Sequence, residues 1–173
     1  MVIYFSDQVN RVNNLKMVIR PAGEADIGPL ARIWLQGWHD AHVSLVPAEL
    51  TALRTLESFG RRLRVGLRDV RVAGPLGEPV GFSMLKDEEL YQLYVAAPSR
   101  GTGVAAELLA DAEVQLAARG VTMGWLACAI GNDRAARFYE KHGWRQAGTV
   151  INEAETERGP FPLEVWRYEK PLP

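Results

Sequence analysis

Hydrophobic and polar residues change their spacing along the chain, and each spacing predicts a different element. Residues 17–20, MVIR, form a short apolar run that predicts a first strand. Apolar residues then recur every three or four positions over residues 27–38, which predicts an amphipathic helix. Asp26 is a plausible cap for this helix, and Pro29 falls in its first turn, where a missing N–H costs little. Residues 48–59 predict a second helix, ending before a glycine.

The middle of the chain has the shorter spacing of strands. Residues 69–95 read as three strands, separated by turns at 75–78 and 87–88. Links this short join antiparallel neighbours. The first half of the chain therefore predicts two helices and an antiparallel ladder.

In the rest of the chain, the spacing of hydrophobic residues alternates between that of helices and that of strands. A helix is predicted from Thr102 to Arg119, then a largely apolar strand over 121–130, then a helix over 132–142 capped by Asn132 or Asp133. Residues 144–150 and 161–170 predict two closing strands. The sum is an α+β fold with a mixed, mostly antiparallel sheet of about seven strands and about four helices.

Composition narrows the class of protein. The 173 residues are 47% hydrophobic and 24% charged with a net charge of −1, which fits one globular domain without a nucleic-acid or membrane-surface footprint. No apolar run reaches the roughly 18 residues of a membrane span. The single cysteine, Cys128, excludes a disulfide within the chain and a multi-cysteine metal site. The start lacks the basic region of a signal peptide, so we expect a cytoplasmic protein.

Residues 1–16 differ in composition from the rest of the chain and predict an N-terminal extension, in which VIYF could add an edge strand. The single domain is then predicted over residues 17–173.

A glycine-rich turn joins a predicted strand to a predicted helix in LYQLYVAAPSRGTGVAAELL, residues 90–109. The first backbone N–H groups of a helix have no partner within it, and the helix dipole adds positive charge there. Gly101 and Gly103 would let a phosphate approach the main chain closely, and Arg100 carries donors suited to phosphate oxygens. The segment predicts an anion site.

Three kinds of anion site compete for this turn. Gly101-x-Gly103-x-x-Ala106 matches a dinucleotide-binding fingerprint, but the turn comes late in the chain and no acidic residue ends the following strand. A nucleoside-triphosphate loop needs a glycine-lysine pair, which is missing. The third candidate is the pyrophosphate of an acyl carrier.

Two linked motifs favour the third candidate. Arg100-x-x-Gly103-x-Ala105 follows a strand and opens a helix, and NDRAARFYEKHGW, residues 132–144, comes one helix and one strand later. Together they resemble the GNAT superfamily of acyl-CoA-dependent N-acyltransferases. The resemblance covers about residues 17–150 and implies a GNAT-like sheet whose central parallel pair, residues 90–95 and 123–130, splays apart.

The resemblance also implies how acetyl-CoA is held, as a co-substrate and with no metal. Backbone groups of Leu93, Tyr94 and Val95 would pair with the pantetheine amides, and Asn132 would contact the cofactor from the other wall. The pyrophosphate would lie on the backbone N–H groups of one loop: Arg100, Gly101, Thr102, Gly103, Val104 and Ala105.

Catalytic roles follow from the same resemblance. Tyr139 would protonate the leaving thiolate, although its helical face also suits core packing. Glu89 would accept the proton of the attacking amine, with Glu88 or an ordered water as alternatives. Cys128 lies in an apolar strand and is interpreted as a small buried residue, with a catalytic thiol as the alternative.

The acceptor is less determined than the cofactor. Trp38, His39 and His42 lie on or after the first helix, in a region that the family uses to wall the acceptor pocket. Core packing is the alternative for Trp38, and a histidine there could act as the base. A homodimer is common in the family. An acyl-CoA-binding module without activity is the alternative to an N-acetyltransferase acting on a primary amine.

Overall fold

The computed structural model describes residues 17–173, so the predicted extension and its VIYF strand lie outside the described residues. Within this part of the chain, seven strands form one sheet in the order β1-β2-β3-β4-β5-β7-β6. The strands are β1 (Ile19–Pro21), β2 (Val70–Ala73), β3 (Gly81–Lys86), β4 (Glu89–Val95), β5 (Met123–Ala129), β6 (Arg145–Ala154) and β7 (Phe161–Pro171).

Five α-helices accompany the sheet in the described residues, against about four predicted. They are α1 (Ile27–His42), α2 (Ala48–Ala52), α3 (Leu56–Val65), α4 (Val104–Ala118) and α5 (Asp133–Lys141). None of them is long and apolar enough to cross a membrane.

The prediction of one helix over residues 48–59 is wrong, because Thr55 starts a new helix. Its hydroxyl accepts from the Ser58 N–H, and its own N–H donates to the Ser58 hydroxyl, at 3.1 Å in both cases. This reciprocal pair is a strong helix start, so the chain leaves α2 and begins α3. Gly60 lies inside α3 and does not end it.

Asp26 is adjacent to α1 but does not cap it with its side chain. Its buried carboxylate accepts from Arg20 at 2.7 and 2.8 Å and from the N–H groups of Gly23 and Gly77. The bond from Arg20 is the main reason that the pKa of Asp26 falls to about 2. The predicted cap instead ties β1 to the turn before β3.

Helices cover both faces of the sheet. Phe59 of α3 and Trp34 of α1 pack in one buried cluster with Val72 and Phe82 of the sheet. The neighbouring residue Ala73 points to the other face, where it packs with Leu108 of α4.

The parallel pair at the centre of the sheet is joined at one end only. The register of β4 and β5 contains the single pair Glu89 and Trp125, and the Trp125 N–H donates to the Glu88 carbonyl at 3.2 Å. β5 then pairs along its length with β7. The remainder of β4 and β5 therefore diverges, and the predicted mixed sheet of seven strands with a splayed parallel pair is confirmed.

Candidate active site

A cavity of about 620 Å³ opens where β4 and β5 diverge. One wall is formed by β4, the glycine loop, the end of β5 and the start of α5. We call this the cofactor wall, after the cofactor that the family resemblance predicts there. The other is formed by α1, the α2–α3 segment and the β6–β7 hairpin, and we call it the acceptor wall.

The backbone of β4 alternates between its two neighbours. The Ala96 N–H donates to the Val80 carbonyl at 2.8 Å, so in this register Tyr94 exchanges hydrogen bonds with Phe82 of β3. The backbone groups of Leu93 and Val95 then face the gap. This corrects the prediction for Tyr94, whose backbone is already paired, although its side chain lines the cavity.

The glycine loop presents backbone to open space. Gly101 and Gly103 have φ of 78° and 95°, and a Cβ added at either would meet no atom within 4 Å. Both torsions favour glycine. Gly103 is the N-cap of α4, so the free N–H groups of the first helical turn point into the same space. The loop can therefore receive an anionic group without any side chain moving.

Arg100 is engaged within the protein. Its Nε donates to the Val95 carbonyl at 3.2 Å and its Nη2 donates to Asp40 at 2.8 Å. The guanidinium thus ties the end of β4 to the end of α1. Its predicted contact with phosphate would require the exchange of the Asp40 pair.

The other predicted cofactor residues divide into two groups. Ala105 and Asn132 line the cavity, and the Asn132 side chain caps α5 by accepting from the Ala135 N–H at 3.3 Å. Thr102 and Val104 do not line it. The Thr102 hydroxyl donates to the Ser99 carbonyl at 2.7 Å, and the Val104 side chain is buried under the loop. These two can contribute only through their backbone.

Tyr139 projects from α5 into the cavity, next to Phe138. Burial is the main cause that raises the pKa of its phenol, so the hydroxyl keeps its proton at neutral pH. A protonated phenol in this position can donate to a leaving group on the cofactor wall.

Cys128 also lines the cavity, but as a neutral thiol. Burial raises its pKa to about 12, with a smaller contribution from Asp133. A thiol must lose its proton to act as a nucleophile. The geometry therefore favours the interpretation of Cys128 as a buried apolar residue.

Glu89 is a buried carboxyl at the joined end of the gap. Its side chain lines the cavity, and burial raises its pKa to about 7, against opposing effects of Lys86 and Arg167. A carboxyl that titrates near neutral pH can exchange a proton with substrate. Glu88, the alternative, does not line this cavity, and its carbonyl joins β4 to β5.

The three predicted acceptor residues have different positions. Trp38 and His42 line the cavity with their rings stacked at 5.2 Å, whereas His39 is exposed and does not line it. The Nδ1 of His42 lies 3.0 Å from the Trp38 carbonyl, which only accepts, so Nδ1 carries the proton and Nε2 keeps its lone pair. Burial lowers the pKa of His42, which keeps it neutral.

Sequence reasoning missed a polar cluster that joins the acceptor wall to β4. It consists of Arg54, Arg62, Tyr91 and Glu155, all of which line the cavity. They come from the α2–α3 link, α3, β4 and the segment after β6. No spacing in the sequence connects four residues so far apart, and only the fold brings them together.

Comparison with known proteins decides the family. Residues 37–144 match the model of the acetyltransferase (GNAT) family. The chain belongs to that family. This GNAT protein is similar to an uncharacterised N-acetyltransferase of Mycobacterium tuberculosis strain H37Rv, with 35% identity over 111 residues that span 61% of this chain and 69% of the relative.

Solved structures agree on the fold of this GNAT protein. A GCN5-related N-acetyltransferase from Rhodopseudomonas palustris has a TM-score of 0.70 at 24% identity, covering 90% of this chain and 96% of that one. The yncA protein from Salmonella typhimurium, in a structure with its cofactor acetyl-CoA, has a TM-score of 0.62 at 16% identity, covering 91% of this chain and 94% of that one.

Proposed function

We propose that this GNAT protein transfers an acetyl group from acetyl-CoA to a primary amine. The observation that carries the proposal is one cavity that combines a helix-start anion site, an unpaired stretch of β4 and two titratable groups, Tyr139 and Glu89. A site of this kind holds a thioester beside an amine and provides groups for both proton movements.

The cofactor wall provides binding and orientation. The backbone N–H groups of Gly103, Val104 and Ala105 would hold the pyrophosphate at the start of α4. The backbone of Leu93 and the N–H of Val95 would pair with the amides of the pantetheine arm, as in strand addition, while the Val95 carbonyl accepts from Arg100. A β4 N–H facing the gap would also stabilise negative charge on the thioester oxygen.

In the proposed reaction the amine attacks the thioester directly, and the protein assists the two proton transfers. The amine nitrogen bonds to the acetyl carbon, and the carbon–sulfur bond breaks. Tyr139 donates its proton to the departing sulfur, and Glu89 accepts the proton that the amine loses, directly or through a water. His42 Nε2 is the second candidate for this base.

Thermal denaturation with acetyl-CoA, CoA and NAD tests the cofactor part of the proposal. A ligand at 100 times its dissociation constant adds about 2.7 kcal/mol to the free energy of unfolding. For a domain of this size the melting temperature should rise by about 5–10 °C with either CoA species and stay unchanged with NAD.

A matched pair of glycine variants tests whether the glycine loop is responsible for the CoA-induced rise in melting temperature. Gly103→Ala places a methyl group where the pyrophosphate would lie and should weaken CoA binding about tenfold or more. Gly120→Ala is the control, because Gly120 has φ of 83°, also faces open space and does not line the cavity. If both variants keep the full CoA-induced shift, the loop is not the phosphate site. If CoA does not raise the melting temperature of the folded wild-type protein, the proposal is wrong.

Acetylation of a panel of amines, monitored by release of free thiol, tests the catalytic part. We expect amine-dependent thiol release. CoA binding with no gain from any amine would instead favour a binding module without activity.

A further inference from the structure

Two arginines with little exposed surface lie in the acceptor wall. Arg54 lies in the link between α2 and α3 and is 6% exposed, and Arg62 lies within α3 with a side chain that is 10% exposed. Both line the cavity. Arginine keeps its charge at any ordinary pH, so both positive charges are present during binding.

The protein leaves much of this hydrogen-bonding capacity unused. Arg54 Nη1 donates to the Glu155 carbonyl at 2.6 Å, and Arg62 Nη2 donates to the Tyr91 hydroxyl. The Nε of each arginine is buried and has no hydrogen-bond acceptor within residues 17–173. Buried donors without acceptors are costly and rare in folded proteins.

Charge is also unbalanced at this point. The nearest carboxylate in the described residues is that of Glu155, 4.0 Å from the Arg62 Nε, and its side chain is 54% exposed. Burial is the main cause that lowers the pKa of Arg54 to about 10, and repulsion from Arg62 adds to it. Two buried cations therefore share one carboxylate that is partly in water.

Aromatic rings hold the two guanidinium groups in place. Arg62 lies over the Trp34 ring at 4.4 Å, and Arg54 lies 5.9 Å from the centre of the Trp38 ring. The Tyr91 hydroxyl donates to the Glu155 carboxylate at 3.1 Å and so links the cluster to the hairpin segment. The pair is preorganised before any ligand binds.

We infer that Arg54 and Arg62 bind a carboxylate of the acceptor, so that the acceptor is an amino acid or a similar small molecule with both an amine and a carboxylate. The inference rests on the proposed transfer to an amine and specifies its substrate class. A carboxylate accepts two parallel N–H bonds from a guanidinium and would supply the missing charge. Its position on the acceptor wall, away from the glycine loop, assigns it to the acceptor and not to the phosphates.

Matched acceptors test the inference in the wild-type protein with acetyl-CoA. Each common L-amino acid is compared with its carboxamide, which keeps the amine and the side chain but removes the negative charge. We expect kcat/KM to be at least about tenfold higher for the carboxylate form of the preferred acceptor, with the difference mainly in KM.

Variants then connect this preference to the arginines. Arg54→Gln should reduce the carboxylate-to-carboxamide ratio from about tenfold or more towards one, and Arg62→Lys, which keeps the charge but loses the fork, should reduce it partly. Arg61→Gln is the matched control. Arg61 lies in α3 beside Arg62, but it pairs with Glu157 at the surface and does not line the cavity. The CoA-induced rise in melting temperature checks that each variant is folded.

The outcomes separate this inference from the function on which it rests. Transfer to carboxamides as fast as to the amino acids, or an unchanged ratio in folded Arg54→Gln, overturns the carboxylate site and leaves the acetyltransferase intact. A preference for succinyl-CoA over acetyl-CoA that depends on Arg54 also overturns it, because the carboxylate is then on the acyl chain. No transfer to any amine overturns both.

Discussion

The two walls of the cavity present different chemical groups, backbone on one side and side chains on the other. The cofactor wall offers mainly backbone: the start of α4, with its left-handed glycines, and the unpaired side of β4. The acceptor wall offers side chains from separate segments, among them Trp38, Arg54 and Glu155. Backbone groups keep their positions in many sequences as long as the fold forms, whereas the groups of the other wall change with every substitution.

Tyr139 is expected to be the largest exception to this contrast, because it is a side chain on the cofactor wall for which we propose a chemical role. Tyr139→Phe should lower the single-turnover rate about 100-fold, the usual loss when a general acid is removed, while the CoA dissociation constant stays within about twofold. Rapid-mixing measurements of thiol release would show this.

Tyr168→Phe is the control for that experiment. Its hydroxyl lies 3.0 Å from Glu140 and it does not line the cavity, so the rate should not change. An unchanged rate in Tyr139→Phe would mean that Tyr139 only packs, and the cofactor wall would then act through its backbone.

Glu89 lies where the two walls meet, and its effect should be smaller and dependent on pH. The wild-type rate should rise with pH through about 7 as Glu89 loses its proton, and Glu89→Gln should lower kcat/KM at pH 8 about tenfold and flatten that rise. A pH profile of kcat/KM is the measurement. A rise that persists in Glu89→Gln would assign the proton to His42 or to water.

The same substitution has a stability consequence with a defined sign. The pKa of Glu89 in the folded protein, about 7, is above its ordinary value of 4.5. As pH rises from about 4.5 to 7, the free energy of unfolding of the wild type therefore falls by about 3 kcal/mol in total, and it stays at the lower value above that range. Glu89→Gln should be more stable than the wild type above pH 7 and equally stable below about pH 4.5. Denaturant unfolding at both pH values would test this, and an equal difference at both would contradict it.

The smallest effect is expected from a side chain in the glycine loop. Thr102→Ala removes an exposed hydroxyl bond to the Ser99 carbonyl and leaves the backbone N–H groups in place. CoA affinity, measured by calorimetry, should change less than about fivefold, since an exposed hydrogen bond contributes about 1 kcal/mol or less. A larger loss would show that the cofactor wall depends on side chains as well.

The same contrast explains what could be predicted from the sequence. Gly101, Gly103 and Tyr139 stand in short motifs that can be read locally. At the two glycines the left-handed φ restricts the residue type whatever the rest of the fold does. The splayed pair was inferred from the family resemblance. Arg54 and Glu155 are 101 positions apart and meet only through tertiary packing, so no local pattern marks them.

Three predictions that the structure corrects failed for equally physical reasons. Thr55 and Ser58 form a reciprocal cap that outweighs the continuous apolar spacing of residues 48–59. Asp26 has the residue type of a cap, yet the nearby Arg20 offers its carboxylate a charged partner. The prediction that the backbone of Tyr94 faces the gap is wrong because the alternation of β4 depends on its register with β3, which one sequence does not fix.

Because β4 diverges from β5, this central strand has unpaired backbone groups along one side, as an edge strand does. Amide protons of Leu93 and Val95 have no partner in β5, so we expect them to exchange with solvent faster than those of Tyr94 in the same strand. An unpaired strand also invites pairing by foreign chains, the usual start of aggregation. A cofactor that fills the gap would thus also protect β4 from pairing with other chains, as charged residues and β-bulges do at the edge strands of a sheet.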